Sequence, residues 1–167
     1  SDDSRWSLGF KLSEATELQY AGGYQGQDDL DYPGRILDAT YFKTRSHDLK
    51  LQHAAGGTLA EVYVQAYVNR KDHAMNNDEK PTARPAPGRI PPFGLDVVVE
   101  TESNTAGGRG YVGFLSGDWR FQLGGDVYRV EQTADRAIAR RSDGRVLFED
   151  VIWPDAQRDD VGLYGQA

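Results

Sequence analysis

Between Arg5 and Leu12, apolar and polar residues change places at every step: Trp6, Leu8, Phe10 and Leu12 against Arg5, Ser7, Gly9 and Lys11. Successive side chains on a β-strand point to opposite faces, so such a run sets one apolar face against one polar face. The pattern returns along the chain. Leu18, Tyr20 and Tyr24 oppose Gln19 and Gln25, and Leu49 and Leu51 oppose Asp48, Lys50 and Gln52. Ala60, Val62, Val64, Ala66 and Val68 oppose Glu61, Tyr63, Gln65, Tyr67 and Asn69. A further strand is expected from about Thr105 to Leu115. Trp119, Phe121, Leu123 and Val127 then oppose Arg120, Gln122, Gly124 and Asp126, and a last strand opens at about Asp159. These make seven antiparallel strand passes in an all-β chain.

The connections between the strands are unequal. Polar turns at Ser13–Thr16, Ala54–Thr58 and Ser116–Asp118 are short, whereas the links at 26–42, 71–103 and 134–158 are long and rich in Asp, Arg and Pro. Long structureless loops are uncommon in compact soluble domains. Short turns at one end and long loops at the other describe a transmembrane β-barrel. The third link is expected to hold a hairpin of its own, turned by Ser142-Asp143-Gly144 with Arg145–Phe148 returning, and ended by Trp153-Pro154 because proline donates nothing to a ladder. Trp6, Tyr20, Tyr24, Trp119 and Tyr128 lie toward strand ends, where a membrane barrel carries its aromatic girdles. Seven strands leave a sheet open, and lipid tolerates no open edge. Both ends of the sequence fall within the strand pattern, so residues 1–167 are expected to form one partial barrel domain of a larger barrel.

Composition narrows the classes. Hydrophobic residues make up 38% and mean hydropathy is -0.65, less apolar mass than a soluble domain of this length normally buries. The 9 Tyr, 6 Phe and 3 Trp take the chain out of the disordered class. A net charge of -7 argues against a nucleic-acid partner, which demands a basic surface. The absence of cysteine removes disulfides and thiolate metal sites. No apolar run approaches the ~20 residues of a membrane helix. The competing architecture is a soluble β-sandwich or small barrel acting as a binding module, with its aromatics in a core.

Several segments resemble those of a known family. Asp31-Tyr32-Pro33-Gly34 is similar to an extracellular loop of TonB-dependent receptors. Ser103-Asn104-Thr105-Ala106-Gly107-Gly108-Arg109 resembles one of their strands. Ile152-Trp153-Pro154-Asp155, followed by Asp159-Asp160-Val161-Gly162-Leu163-Tyr164, resembles their manner of entering a strand. In this order, across nearly the whole chain, the set most resembles the TonB-dependent copper receptors. The resemblance implies a transport protein of the bacterial outer membrane, with outer-membrane lipid and the TonB energy-transducing system as partners and copper ion as transported ligand. It also implies a plug domain and a TonB-contacting segment, which these residues do not include.

The sharpest ligand candidate is His73-Ala74-Met75, placed in the loop after a strand ending near Arg70. Imidazole and thioether suit copper, Cu(I) above all, and residues at i and i+2 of an extended segment face the same way. Met75 is the only methionine. From spacing alone the pair reads as two ordinary loop residues; the resemblance assigns His73 and Met75 to the metal. Asn76–Glu79 read as a solvated loop or as supports to such a site. His47 and His53 read as interfacial residues, Asp28, Asp29 and Asp31 as a solvated acidic loop rather than a calcium site. Arg136, Arg140 and Arg141 read as either a charged hairpin or contacts to lipid phosphates. No enzyme is expected: Ser46-His47-Asp48 alternates faces and cannot converge, and neither a Gly-x-Ser-x-Gly elbow nor a His-Glu-x-x-His helix occurs. A receptor of the same kind for an iron–siderophore complex remains the alternative cargo assignment.

Overall fold

The computed structural model describes residues 1–167. It contains seven strands, β1 (Asp2–Lys11), β2 (Thr16–Leu30), β3 (Asp38–Ala54), β4 (Leu59–Asn76), β5 (Leu95–Ser116), β6 (Trp119–Arg140) and β7 (Val146–Gln166), and one 3-10 turn at Pro81–Ala83. The strands pair antiparallel in chain order within one sheet, and β1 and β7 are its two edges. The architecture is a section of an antiparallel β-barrel wall, as the alternation anticipates.

Register assigns every side chain to a face. One row runs Leu8, Tyr20, Leu49, Ala66, Gly108, Val127, Val161, and the next Phe10, Leu18, Leu51, Val64, Gly110, Gly125, Leu163. This apolar face is the more exposed one. Val64 and Val68 are each 49% exposed, while Gln65 between them is 9% exposed. A water-soluble fold has the opposite arrangement, because burying apolar area is what stabilises it. Only 4 hydrophobic residues are buried, Ala39, Ala74, Ala83 and Ala134, and no second layer covers the sheet. The sandwich alternative therefore has no core to stand on.

The apolar face forms a band. On β6 it runs from Trp119 to Val127, and on β5 from Phe114 to Ala106. Nine residues span ~30 Å along a strand, or ~23 Å at the ~40° tilt of barrel strands, close to the ~25 Å apolar height of membrane barrels. Beyond the band the same face turns charged, with Arg45, Arg70, Asp72, Glu102, Glu131 and Asp159.

Three expectations about the connections need correction. The short turns fall where anticipated, at 12–15, 55–58 and 117–118, but the other links shrink to 31–37, 77–94 and 141–145. The missing residues are strand, since β2 runs to Leu30, β4 to Asn76 and β6 to Arg140. Outside the apolar band both faces are wet, so alternation no longer marks a strand. The turn around Ser142-Asp143-Gly144 is the β6–β7 connection itself, with Gly144 at φ 67°, and β7 begins at Val146 rather than near Asp159. Pro154 does not end the strand. It sits where pairing jumps from Ala134–Trp153 to Gln132–Ala156, beside Asp155 at φ 44°, on an edge strand whose bulge tolerates a missing donor. Tyr128 also departs from the girdle assignment: it shares the polar face with Tyr67, both packed where a Gly107 side chain would otherwise lie.

Candidate metal centre on the polar face

His73 and Met75 lie near the end of β4 that carries the long 77–94 connection, and on strand rather than in a loop. The register of β4 against β5 runs unbroken from Glu61 to Asn76. Parity therefore puts both residues on the same polar face as Gln65 and Tyr67. His73 is paired with Phe42 on β3 and Thr101 on β5, and Met75 with Ala39 and Val99. The only irregularity nearby is the shift between Ala39 and Tyr41 on β3.

The imidazole of His73 meets the Phe42 ring edge-on, at 5.5 Å between centroids and 67° between planes. Its Nε2 is buried and has no hydrogen-bond partner, and burial pulls its pKa below the ordinary 6.5. A neutral imidazole with an uncommitted nitrogen is the form that binds a metal. Buried polar atoms normally find a partner, and one that does not calls for an explanation.

Deeper on the same face lies a polar ladder that alternation alone does not reveal. The amide of Gln65 donates to Asp48, while its carbonyl accepts from Arg109 Nε at 2.6 Å and from the Tyr63 hydroxyl at 2.8 Å. Tyr63 stacks on Tyr111 at 5.1 Å, and Arg120 donates to Glu61 at 2.5 Å. The partners come from four strands, so only register brings them together.

Above the polar face two connections are tied by Lys80. Although a lysine, it is only 8% exposed; it pairs with Asp38, and donates to Asp31 at 3.2 Å and to the Tyr32 carbonyl at 3.2 Å. Its hydrogen bond to Asp38 raises the ammonium pKa, and the same bond, with one from the Tyr32 amide, lowers that of Asp38. Asn77, 1% exposed, receives the Val97 amide and donates to Leu95 and Thr82. Arg89 donates to the carbonyls of Pro81, Thr82 and Phe93. The Pro- and Arg-rich 77–94 stretch is thus a folded cap, not a loose strap.

The other candidates disperse. Ser46 and Asp48 lie on the polar face and His47 on the apolar one, so no triad forms. His47 Nδ1 meets the Tyr20 hydroxyl and His53 Nδ1 the Thr16 hydroxyl, each at 2.8 Å. Asp31 is held by Lys80 at 3.2 Å. Arg136 forms a two-pronged bond with Asp150 and Arg140 pairs with Asp143, both within the β6–β7 hairpin, whereas Arg141 reaches Asp78 in the 77–94 connection and Asp96 on β5.

No family model matches the sequence, and no curated protein matches it. Among solved structures the chain is similar to one named copper transporter OprC, with a TM-score of 0.79 and 22% sequence identity over 98% of this chain. The chain spans 25% of that protein's length. The likeness establishes the fold: this sheet is built as a section of that transporter's β-barrel is built.

Proposed function

We propose that residues 1–167 form part of the barrel wall of a TonB-dependent receptor in the bacterial outer membrane, and that its cargo is copper, engaged by His73 and Met75. The observation that carries the reading is the pair itself. A soft thioether and a half-buried imidazole whose Nε2 is buried and free stand two residues apart on the polar face, beyond the apolar band, where a barrel's vestibule opens. That pair suits Cu(I). The similarity to a copper transporter adds support.

The apolar face, exposed and unlayered, then meets lipid, and the edges of β1 and β7 pair with further strands, since lipid leaves no backbone group unsatisfied. The plug domain that TonB pulls belongs to the rest of such a receptor, and it supplies the remaining copper ligands.

The test uses the intact receptor. Copper bound per receptor is measured by elemental analysis for wild type and for a His73→Ala, Met75→Ala double variant. Wild type is expected to retain copper and the double variant to lose it while keeping its heat-dependent gel mobility. Undiminished copper in the folded double variant sinks the assignment of these ligands. Absence of copper from wild type, together with uptake of an iron–siderophore complex, replaces the cargo.

A further inference from the structure

Beside His73 the polar face carries one unpaired cation and no carboxylate. Lys71 stands two residues before His73 on the same face of β4, between Thr44 on β3 and Ser103 on β5. It is exposed. Asp72, its neighbour in sequence, lies on the opposite face and is taken by Arg45 and Arg70. In the three rows centred on Lys71, from β2 across to β6, no residue on this face is acidic. Composition does not explain the gap, because the chain has 26 acidic residues and the other face of these same strands carries Asp72, Glu102 and Glu131.

That arrangement opposes a bare metal ion. Alternate residues on a strand are about 7 Å apart, within the screening length of about 8 Å at physiological salt. The Lys71 ammonium therefore repels a naked cation held by His73 and Met75, where carboxylates would attract one. A complex that carries net negative charge reverses the sign, and the same ammonium then draws it in.

The surroundings of Lys71 suit a small polar ligand. Thr44, Ser46 and Thr105 bring hydroxyls from the two flanking strands, and the Gln132 amide donates to Ser103 Oγ at 3.1 Å. Asn69, the next residue on this face of β4, has a buried Oδ1 without a partner, an acceptor that calls for an N–H or O–H. Along one strand, then, stand a nitrogen open to a metal at His73, a free cation at Lys71 and an unmet acceptor at Asn69.

We propose that copper reaches His73 and Met75 as an anionic complex with a small chelator bearing free carboxylates, one carboxylate on Lys71 and an N–H or O–H of the chelator on Asn69. The inference rests on the assignment of copper to His73 and Met75 and names the form in which the cargo arrives. Lys71 is the specificity residue: it attracts the complex and repels the bare ion, so one charge serves both sides of the discrimination.

The test is anaerobic equilibrium dialysis of the intact receptor in detergent. Cu(I) is supplied as its glutathione complex, as the complex of glutathione diethyl ester, which keeps the thiol and masks the carboxylates, or in acetonitrile without a chelator. Wild type is expected to bind the glutathione complex about tenfold more tightly than the ester complex, the scale of a lost charge-assisted hydrogen bond, and to retain radiolabelled glutathione together with the metal. Lys71→Gln is expected to abolish that preference and to bind the chelator-free ion about twofold or more tightly, because a repelling charge is gone. Misfolding cannot produce the second shift. Equal affinity of wild type for the acid and ester complexes, copper retained without labelled glutathione, or a preference that survives in Lys71→Gln overturns the inference and leaves copper at His73 and Met75 standing. Copper retained from none of the three carriers overturns the copper assignment itself, and the inference with it.

Discussion

His73 on β4 meets Phe42 on β3 edge-on, with ring centroids 5.5 Å apart and planes at 67°, a geometry that fixes the imidazole plane while leaving Nε2 uncommitted. An aromatic pair of this kind contributes ~0.5–1.5 kcal/mol beyond area burial. Phe42→Ala is therefore expected to weaken copper binding about two- to tenfold in a competition titration, without abolishing it. No change in affinity means that the ring does not orient the ligand.

Met75→Leu keeps volume and apolar character and removes only the sulfur. Volume-conserving swaps of this kind cost little stability, less than ~1.5 kcal/mol. The expected outcome is an unchanged unfolding midpoint with at least about tenfold weaker Cu(I) binding. Equal affinity would take the thioether out of the site.

The orientation of the sheet is tested by a paired substitution. Val64, 49% exposed in the middle of the band, is expected to lose ~2–4 kcal/mol of stability as Val64→Arg in lipid vesicles. Gln52→Arg, on the polar face of β3, is expected to change it by less than ~0.5 kcal/mol. Urea titration of the two variants of the intact receptor reads the contrast; equal costs would mean that neither face meets lipid.

Gly107 marks a close approach on the polar face. A Cβ there would lie 2.6 Å from the Tyr67 hydroxyl and 2.7 Å from Tyr128 Cβ. The second of these atoms is anchored to the β6 backbone and cannot swing aside. Gly107→Ala is expected to destabilise by ~1–3 kcal/mol, seen as a lower unfolding midpoint. Gly56→Ala, with open space around it, is the control.

The Lys80–Asp38 pair predicts a pH window for the cap. The raised lysine pKa means that its contribution is full below the ordinary 10.5 and lost as pH climbs through the raised value. The lowered aspartate pKa means that its contribution is full above the ordinary 3.8 and lost as pH falls through the lowered value. Between these limits the 77–94 cap is expected to resist proteolysis, and Lys80→Ala to make it cleavable at neutral pH. Equal cleavage rates in the two proteins would mean that the latch does not hold the cap.

The sequence carried a good deal of this, and for a definable reason. Wherever one face of a strand meets an apolar phase and the other a polar one, residues must alternate, so Trp6–Leu12, Val62–Val68 and Trp119–Val127 declare strands, faces and turns in the sequence itself. Where both faces are wet that demand disappears. The extensions of β2 to β7 beyond the band, and His73 and Met75 among them, consequently read as loop. Pairing across strands leaves no local trace at all. The Phe42–His73 contact and the Gln65 ladder join residues distant in sequence, and register, a property of the assembled sheet, is what decided them; the burial of Lys80 needs the 31–37 and 77–94 connections brought together, which only the tertiary fold does.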